Sequence, residues 1–254
     1  LALPLSNNGT SFTPVWDALF TATSAVTVTG LIVQDTVTYW SPFGLVVIAL
    51  LIQVGGFGFM ASSTLLFLLI GRRITLRDRL LLRDSVGSNV LGGMVGLVKQ
   101  IIVVILAIEA AGAFCLFLFF LARFEPGEAL LQAVFHSISA FNNAGFSTLP
   151  GPGMAAFQTN IGVLSSMVIL LILGGIGFSV IADVIKVRRF SRFILDTKLV
   201  LVATGGLLVL GTVVLFASEF FNPATMGKLS VPQKVLVAFF ESASGRTAGF
   251  TVFP

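Results

Sequence analysis

The chain has 254 residues, of which 56% are hydrophobic and only 10% are charged, with mean hydropathy +1.03. A soluble globular domain carries roughly 25% charged residues, so this composition excludes a water-soluble protein and indicates a lipid bilayer as the main solvent. A net charge of +4 indicates no nucleic-acid partner here, because the position of each charge relative to the membrane matters more than the sum.

Short and long apolar segments follow one another along the chain. A helix of about 12 residues covers roughly 18 Å, about half a membrane, whereas roughly 20 residues span the hydrocarbon core. At about 42 Å, the first long segment must tilt or protrude if it forms one helix. In chain order the segments are Val15–Val28 (short), Phe43–Ile70 (long), Ile101–Leu121 (long), Ala129–Phe141 (short), Ile161–Ile185 (long), Leu199–Ala217 (long) and Val231–Ser244 (short).

Basic residues fix the expected orientation. Eleven of the 15 Lys and Arg residues lie in two polar segments, 71–100 and 186–198, which are separated by two long segments. Two spans return the chain to the same side, and the positive-inside rule makes that side the cytoplasm. The three short segments are therefore expected to enter the membrane from outside as half-helices.

Each half-helix ends in a glycine turn, and the pattern repeats. The turns align on Gly30, Gly145 and Gly249, with small or hydroxyl residues five or six positions upstream. A second motif, Gly-Gly-x-Gly-Phe, begins at Gly55 and again at Gly174. The repeating unit is therefore a span, a half-helix, a turn and a second span.

This repeat predicts a cation pore. Irregular backbone at membrane depth is tolerated only where it is buried in protein or lines water. A half-helix that enters from outside directs its carbonyl end, with about half a negative charge, toward the membrane centre. Carbonyl groups of the returning chain can then replace the hydration shell of a cation.

At these turns the sequence resembles the Trk/Ktr/HKT superfamily of potassium transporters. The resemblance covers nearly the whole chain and is most specific at Thr23–Leu31, Phe141–Ser147 and Arg246–Thr251. It implies an all-α membrane fold with span–half-helix–span units around a central pore and re-entrant filter loops. It also implies the residues of the ion-selectivity filter, which are Thr27, Val28, Thr29, Gly30, Asn142, Asn143, Ala144, Gly145, Arg246, Thr247, Ala248 and Gly249.

The resemblance further implies function and partners. Potassium is the transported ion and binds backbone carbonyls of the filter residues, with no covalently bound cofactor and no enzymatic activity. The protein is expected in the plasma membrane as a homodimer, bound to a cytoplasmic nucleotide-binding regulatory subunit of the KtrA/TrkA-like kind. Relatives with serine at the first filter position tend to pass sodium, so Gly30 favours potassium.

In this scheme the chain divides into units and linkers. Four units are expected in the whole protein, so the first span of unit 1, the last span of unit 3 and unit 4 are expected outside residues 1–254. The predicted divisions are 1–70 (half-helix, filter and second span of unit 1), 71–100 (cytoplasmic linker), 101–185 (complete unit 2), 186–198 (cytoplasmic linker) and 199–254 (first span, half-helix and filter of unit 3).

Two other classes of function remain open. One is a secondary transporter with discontinuous helices around a midplane site, coupled to sodium or nonselective among cations. Parallel repeats disfavour it, because many such transporters use inverted repeats. The other is a membrane enzyme, which is disfavoured because the chain has only one histidine and one cysteine, His136 and Cys115.

Four features have both a structural and a functional interpretation. The Gly-Gly-x-Gly-Phe motifs favour helix packing over ion binding. The mid-span carboxylate of Glu109 favours a hydrogen bond to a pore loop over ion ligation. We expect Arg246 to point behind the filter toward an acid such as Glu241, and His136 to be a hydrogen-bonded scaffold residue.

Overall fold

A computed structural model describes residues 1–9, 11–69, 94–150 and 153–253. Within these ranges there is no β-strand, which confirms the predicted all-α fold. Eight α-helices are described: α1 (Val15–Val26), α2 (Pro42–Leu69), α3 (Met94–Phe120), α4 (Pro126–Phe141), α5 (Ile161–Gly175), α6 (Phe178–Val187), α7 (Leu195–Glu219) and α8 (Val231–Gly245).

The three half-helices form where the sequence predicts them. Helices α1, α4 and α8 contain 12, 16 and 15 residues, which is too short to cross a bilayer. Proline lies at the start of α4 and α8, where its missing N–H has no intrahelical acceptor to lose. At the start of α8, the side chain of Gln233 in the first turn accepts a hydrogen bond from the N–H of Ser230, the residue before the helix (3.0 Å).

The four predicted spans differ in continuity. Among the described residues, Ile102–Phe120 of α3 and Leu195–Glu219 of α7 are long and apolar enough to cross a membrane. The other two spans are broken at the third glycine of the Gly-Gly-x-Gly-Phe motif. Gly58 (φ 69°, ψ 156°) interrupts α2, and Gly177 (φ 87°, ψ 152°) separates α5 from α6.

The expectation that the first long span tilts or protrudes as one helix is therefore wrong. At Gly58 and Gly177 the backbone lies in a region that essentially only glycine adopts and that is not helical. A Cβ at either position would meet no atom within 4 Å. The backbone conformation, rather than lack of space, requires glycine at these two breaks.

Packing places the half-helices between the spans. Helix α3 packs against α4 and α5, α7 packs against α8, and α5 also packs against α8. The core at these contacts is built from large apolar side chains such as Phe120, Phe141 and Phe240, each fully buried. The outer face of α7 is apolar but exposed, as expected for a surface that faces lipid.

The predicted linkers are described unequally. Most of linker 71–100 lies outside the described residues. In linker 186–198, α6 ends at Val187, and Arg188 adopts a left-handed conformation (φ 56°). The carboxylate of Asp183 accepts a hydrogen bond from the N–H of Ile194 (3.2 Å), which closes this turn between α6 and α7.

Candidate ion filter

The carboxyl ends of α1, α4 and α8 continue into the three predicted filter segments, 27–30, 142–145 and 246–249. At each end a serine carbonyl near the end of the half-helix accepts a hydrogen bond from a filter N–H. The pairs are Thr29 N to Ser24 O (2.9 Å), Ala144 N to Ser139 O (2.7 Å) and Gly249 N to Ser244 O (3.1 Å).

These hydrogen bonds orient the neighbouring carbonyls. In a trans peptide the C=O points opposite to the N–H of the following residue. The N–H groups of Thr29, Ala144 and Gly249 point back at their helices, so the preceding carbonyls point away from them. Each segment thus has one carbonyl that points away from its half-helix, on Val28, Asn143 and Ala248. We call these three groups the outward-directed carbonyls.

Left-handed backbone conformations produce each turn. The three filter glycines, Gly30, Gly145 and Gly249, have φ values of 81°, 75° and 75°. Val28 and Asn143 are also left-handed, with φ values of 54° and 56°. Such a conformation costs on the order of 1–3 kcal/mol for a residue other than glycine. This strain recurs at the same position of two repeats, which marks it as a requirement of the turn.

The glycines of the three segments bring the segments into mutual contact. A Cβ built on Gly30 would lie under 3.0 Å from Ala144 O, and one on Gly145 would lie under 3.0 Å from Ala248 O. The position of the Gly30 Cβ is 3.2 Å from the Cα of Gly145. For Gly249, no atom of the described chain lies within 4 Å of such a Cβ. Three turns that are far apart in sequence therefore converge at their glycines.

All twelve predicted filter residues lie at this convergence or at the helix ends that lead into it. Side chains also connect the segments: Thr247 Oγ1 donates to Asn143 Oδ1 (2.6 Å). Within the first segment, the hydroxyls of Thr27 and Thr29 are 2.7 Å apart. That the carbonyls of the twelve residues bind an ion stays a prediction.

The Gly-Gly-x-Gly-Phe motifs support the filter from behind. The first glycine of each motif abuts a carbonyl at the end of a half-helix, so Gly55 contacts Val26 O and Gly174 contacts Phe141 O. Added Cβ atoms at these sites would lie under 3.0 Å from those oxygens. This close approach confirms the packing interpretation of the motif.

The second glycine of each motif faces the first filter residue of the next repeat. Gly56 lies against Oδ1 of Asn142, and Gly175 lies against Nη2 of Arg246. Each span thus touches two successive repeats, the half-helix end of its own repeat through the first glycine and the filter segment of the next repeat through the second.

Glu109 makes the kind of contact that the structural interpretation predicts. Its side chain is buried in α3, and Oε1 accepts a hydrogen bond from Nδ2 of Asn142 (2.9 Å). The carbonyl of Glu109 accepts a second hydrogen bond from Ser137 Oγ (2.6 Å). In the third repeat the carbonyl of Leu208 accepts the matching bond from Ser242 Oγ (3.0 Å), so of these two described repeats the second has a carboxylate at this position and the third has a leucine.

Arg246 points behind its filter segment, but the predicted pairing with Glu241 is wrong. Within the described chain, Nη1 of Arg246 donates to Thr204 Oγ1 on α7 (3.2 Å). The carboxylate of Glu241 instead accepts hydrogen bonds from Thr251 and Val252. The ion pair was predicted because opposite charges five residues apart near a helix end are close enough to interact. The tertiary fold offers each of them a nearer partner.

His136 is a scaffold residue, as predicted. It is fully buried on α4, and its Nδ1 lies 2.8 Å from the carbonyl of Gln132. Sequence reasoning did not single out Ser139 and Ser244, although their hydroxyls donate to the chain after Gly145 and Gly249. The only signal for them was the small or hydroxyl residue found five or six positions upstream of every turn glycine.

The chain is similar to known cation transport proteins over nearly its whole length. Residues 2–254 match the family model described as TrkH, cation transport protein. The chain is 41% identical over 92% of its length to Ktr system potassium uptake protein B of Bacillus subtilis, covering 52% of that protein. It is 42% identical over 98% of its length to the Vibrio alginolyticus protein of the same name, covering 55% of it.

Two further comparisons concern a second named uptake protein and a solved structure. The chain is 34% identical over 98% of its length to potassium/sodium uptake protein NtpJ of Enterococcus hirae, covering 55% of that protein. It also superimposes on the crystal structure of the potassium transporter TrkH from Vibrio parahaemolyticus with a TM-score of 0.68 at 20% identity. That match covers 95% of this chain and 46% of the solved one. The chain thus spans about half the length of the relatives that it matches.

Proposed function

The chain belongs to the TrkH family of cation transport proteins, and from this we propose that it forms part of a pore for potassium uptake across the plasma membrane. The observation that carries the proposal is the convergence of Gly30, Gly145 and Gly249, together with the outward-directed carbonyls of the same three segments. Rings of backbone carbonyls replace the hydration shell of potassium in selective pores. The twelve residues of segments 27–30, 142–145 and 246–249 are the proposed filter.

Further elements of the full-length protein are proposed to complete the pore. A fourth filter segment beside Gly249 would close the ring, in keeping with relatives about twice as long. The unit divisions 1–70, 101–185 and 199–254, with linkers 71–100 and 186–198, follow from the same scheme. Homodimerisation is part of the proposal. So is a KtrA/TrkA-like regulatory subunit on the cytoplasmic side, which is supported by the word system in the names of two relatives.

The alternative of a secondary transporter around a midplane site is less well supported. Three half-helices that all direct their carboxyl ends at one place favour a cation path shared by successive repeats. A relative named for both potassium and sodium makes the choice of ion the part of the proposal that most needs measurement.

We expect the full-length protein to restore growth at low potassium in cells that lack their own potassium importers. Paired measurements of potassium and sodium uptake check this expectation, with potassium taken up in preference. A protein that reaches the membrane in full amount but accumulates no potassium would contradict the proposed function. Equal uptake of both ions would contradict its selectivity.

The proposed orientation gives a second expected result. Arg189 lies between α6 and α7, Lys228 lies between α7 and α8, and both are exposed. In a background with Cys115→Ser, Arg189→Cys should react only with membrane-permeant thiol reagents added outside, and Lys228→Cys should react with impermeant ones. The opposite labelling pattern would reverse the orientation and place the half-helices on the cytoplasmic side.

A further inference from the structure

The chain that follows each filter glycine is held to its half-helix in two of the three repeats. In the second repeat, Phe146 O accepts a hydrogen bond from Ser139 Oγ (2.7 Å). Nε2 of His136 lies 3.0 Å from Ser147 Oγ and accepts from Thr148 N (3.4 Å). Three groups in the three residues after the glycine are therefore bonded to Ser139 and His136 of α4. Gln132 of the same helix adds two further bonds, because its Nε2 donates to Thr148 O (2.8 Å) and its Oε1 accepts from Thr148 Oγ1.

The third repeat makes the same three contacts with a different acceptor. Phe250 O accepts a hydrogen bond from Ser244 Oγ (2.6 Å). Oε1 of Glu241 accepts from Thr251 Oγ1 (3.0 Å) and from Val252 N (2.7 Å). A serine hydroxyl and one acceptor atom thus hold the chain in both repeats, and we call each such set a clamp.

The histidine serves as an acceptor because its other nitrogen is already committed. Nδ1 of His136 lies 2.8 Å from the carbonyl of Gln132, which can only accept. The hydrogen-bond network therefore assigns the proton to Nδ1 and leaves the lone pair of Nε2 for Ser147 and Thr148. Nε2 of His136 and Oε1 of Glu241 therefore serve as the hydrogen-bond acceptors at matching places in the two repeats.

The first repeat has the serine but no clamp. Thr21 occupies the position of His136, and Ser24 that of Ser139. Their side chains are 1% and 5% exposed, and neither hydroxyl has a hydrogen-bond partner in the described chain. The segment after Gly30, Leu31–Val33, carries no hydroxyl and is exposed.

We propose that the clamps of Ser139 with His136 and of Ser244 with Glu241 position the second and third filter segments for potassium selectivity, and that the first segment works without one. The inference rests on the proposed function, since selectivity has meaning only in a transporting protein. His136 and Glu241 act as positioning residues, because they hold the backbone next to the filter rather than contact the ion.

The clamps are expected to affect selectivity because they change how many ends of a filter segment are held in position. A helix-end serine carbonyl fixes the start of all three segments, whereas a clamp fixes the far end of only the second and third. The net stability of one hydrogen bond corresponds to about a two- to tenfold change in an equilibrium constant. A carbonyl ring that prefers one dehydrated ion to another depends on energies of that size, since about 1.4 kcal/mol is a tenfold change in an equilibrium constant.

Three matched substitutions in the full-length protein test the proposal. Ser139→Ala and Ser244→Ala each remove one clamp hydrogen bond without adding bulk, and Ser24→Ala removes an equally buried hydroxyl that has no partner. We expect the first two to reduce the potassium-over-sodium uptake ratio by about three- to tenfold, in line with one hydrogen bond. Ser24→Ala should leave the ratio unchanged.

A second pair of variants separates hydrogen bonding from charge. Glu241→Gln keeps an acceptor oxygen but removes the carboxylate, and Glu241→Leu removes both at similar size. The glutamine variant should retain most of the parental ion ratio, and the leucine variant should lose it. If both variants lose it equally, the carboxylate charge rather than the clamp is responsible, and the proposal falls.

The remaining outcomes distinguish this inference from the proposed function. If the parental protein prefers potassium and Ser139→Ala and Ser244→Ala keep that preference, the clamps are not positioning devices, although the proposed function stands. An equal loss for Ser24→Ala would contradict the distinction between the repeats. If the parental protein accumulates no potassium, both proposals fall. The alanine variants decide the question even if Glu241→Leu does not fold.

Discussion

Gly145→Ser should reduce potassium-over-sodium discrimination by about tenfold or more while most of the protein still folds. Gly145 has φ 75°, where a side chain costs on the order of 1–3 kcal/mol. Its Cβ would also lie under 3.0 Å from Ala248 O, one of the outward-directed carbonyls. Relief of that contact must move a carbonyl of the neighbouring segment. Because about 1.4 kcal/mol is a tenfold change, a small displacement is enough.

Paired potassium and sodium uptake by the full-length protein measures this effect. Gly30→Ser should act in the same direction, since its Cβ would approach Ala144 O. Gly205→Ala on α7 is the matched control, because a Cβ there meets no atom of the described chain within 4 Å. If Gly145→Ser keeps the parental ion ratio, or if Gly205→Ala changes it as much, the filter has been assigned to the wrong residues.

Gly174→Ala should lower the stability and the yield of folded protein. The added methyl group would lie under 3.0 Å from both the carbonyl oxygen and the carbonyl carbon of Phe141, the last residue of α4. Because the obstructing atoms are backbone, no side chain can rotate out of the way. Overpacking of this kind typically costs about 1–3 kcal/mol, and here it would separate α5 from the half-helix.

Thermal unfolding of the purified full-length protein and its yield after size-exclusion chromatography check this expectation. Gly205→Ala again serves as the control, and it should be neutral or stabilising by up to about 1 kcal/mol, since alanine is the better helix former. An unchanged midpoint for Gly174→Ala would show that α5 does not need its close approach to Phe141. Gly175→Ala is unsuitable for this comparison, because Gly175 faces the filter residue Arg246.

The sequence determined the class of the protein and the positions of its half-helices. Hydropathy is a property of composition, and a 12-residue apolar segment is too short to span a bilayer in any fold. Turn glycines act through local backbone geometry, so α1, α4 and α8 were placed to within a few residues. The equivalence of Gly30, Gly145 and Gly249 was likewise readable, because a repeat is a pattern within the sequence itself.

Only the tertiary structure decided which groups meet. The breaks at Gly58 and Gly177 depend on φ and ψ values that no hydropathy pattern contains. Glu241 and Arg246 lie five residues apart, yet they bond to different neighbours because the returning chain and α7 offer nearer partners. Each clamp joins a half-helix to the chain after a filter glycine. The spacing between serine and glycine differs between the two clamps, at six residues before Gly145 and five before Gly249. Hydrogen bonds of this kind are selected by distances in space, and local sequence fixes those distances only within a helical turn or two.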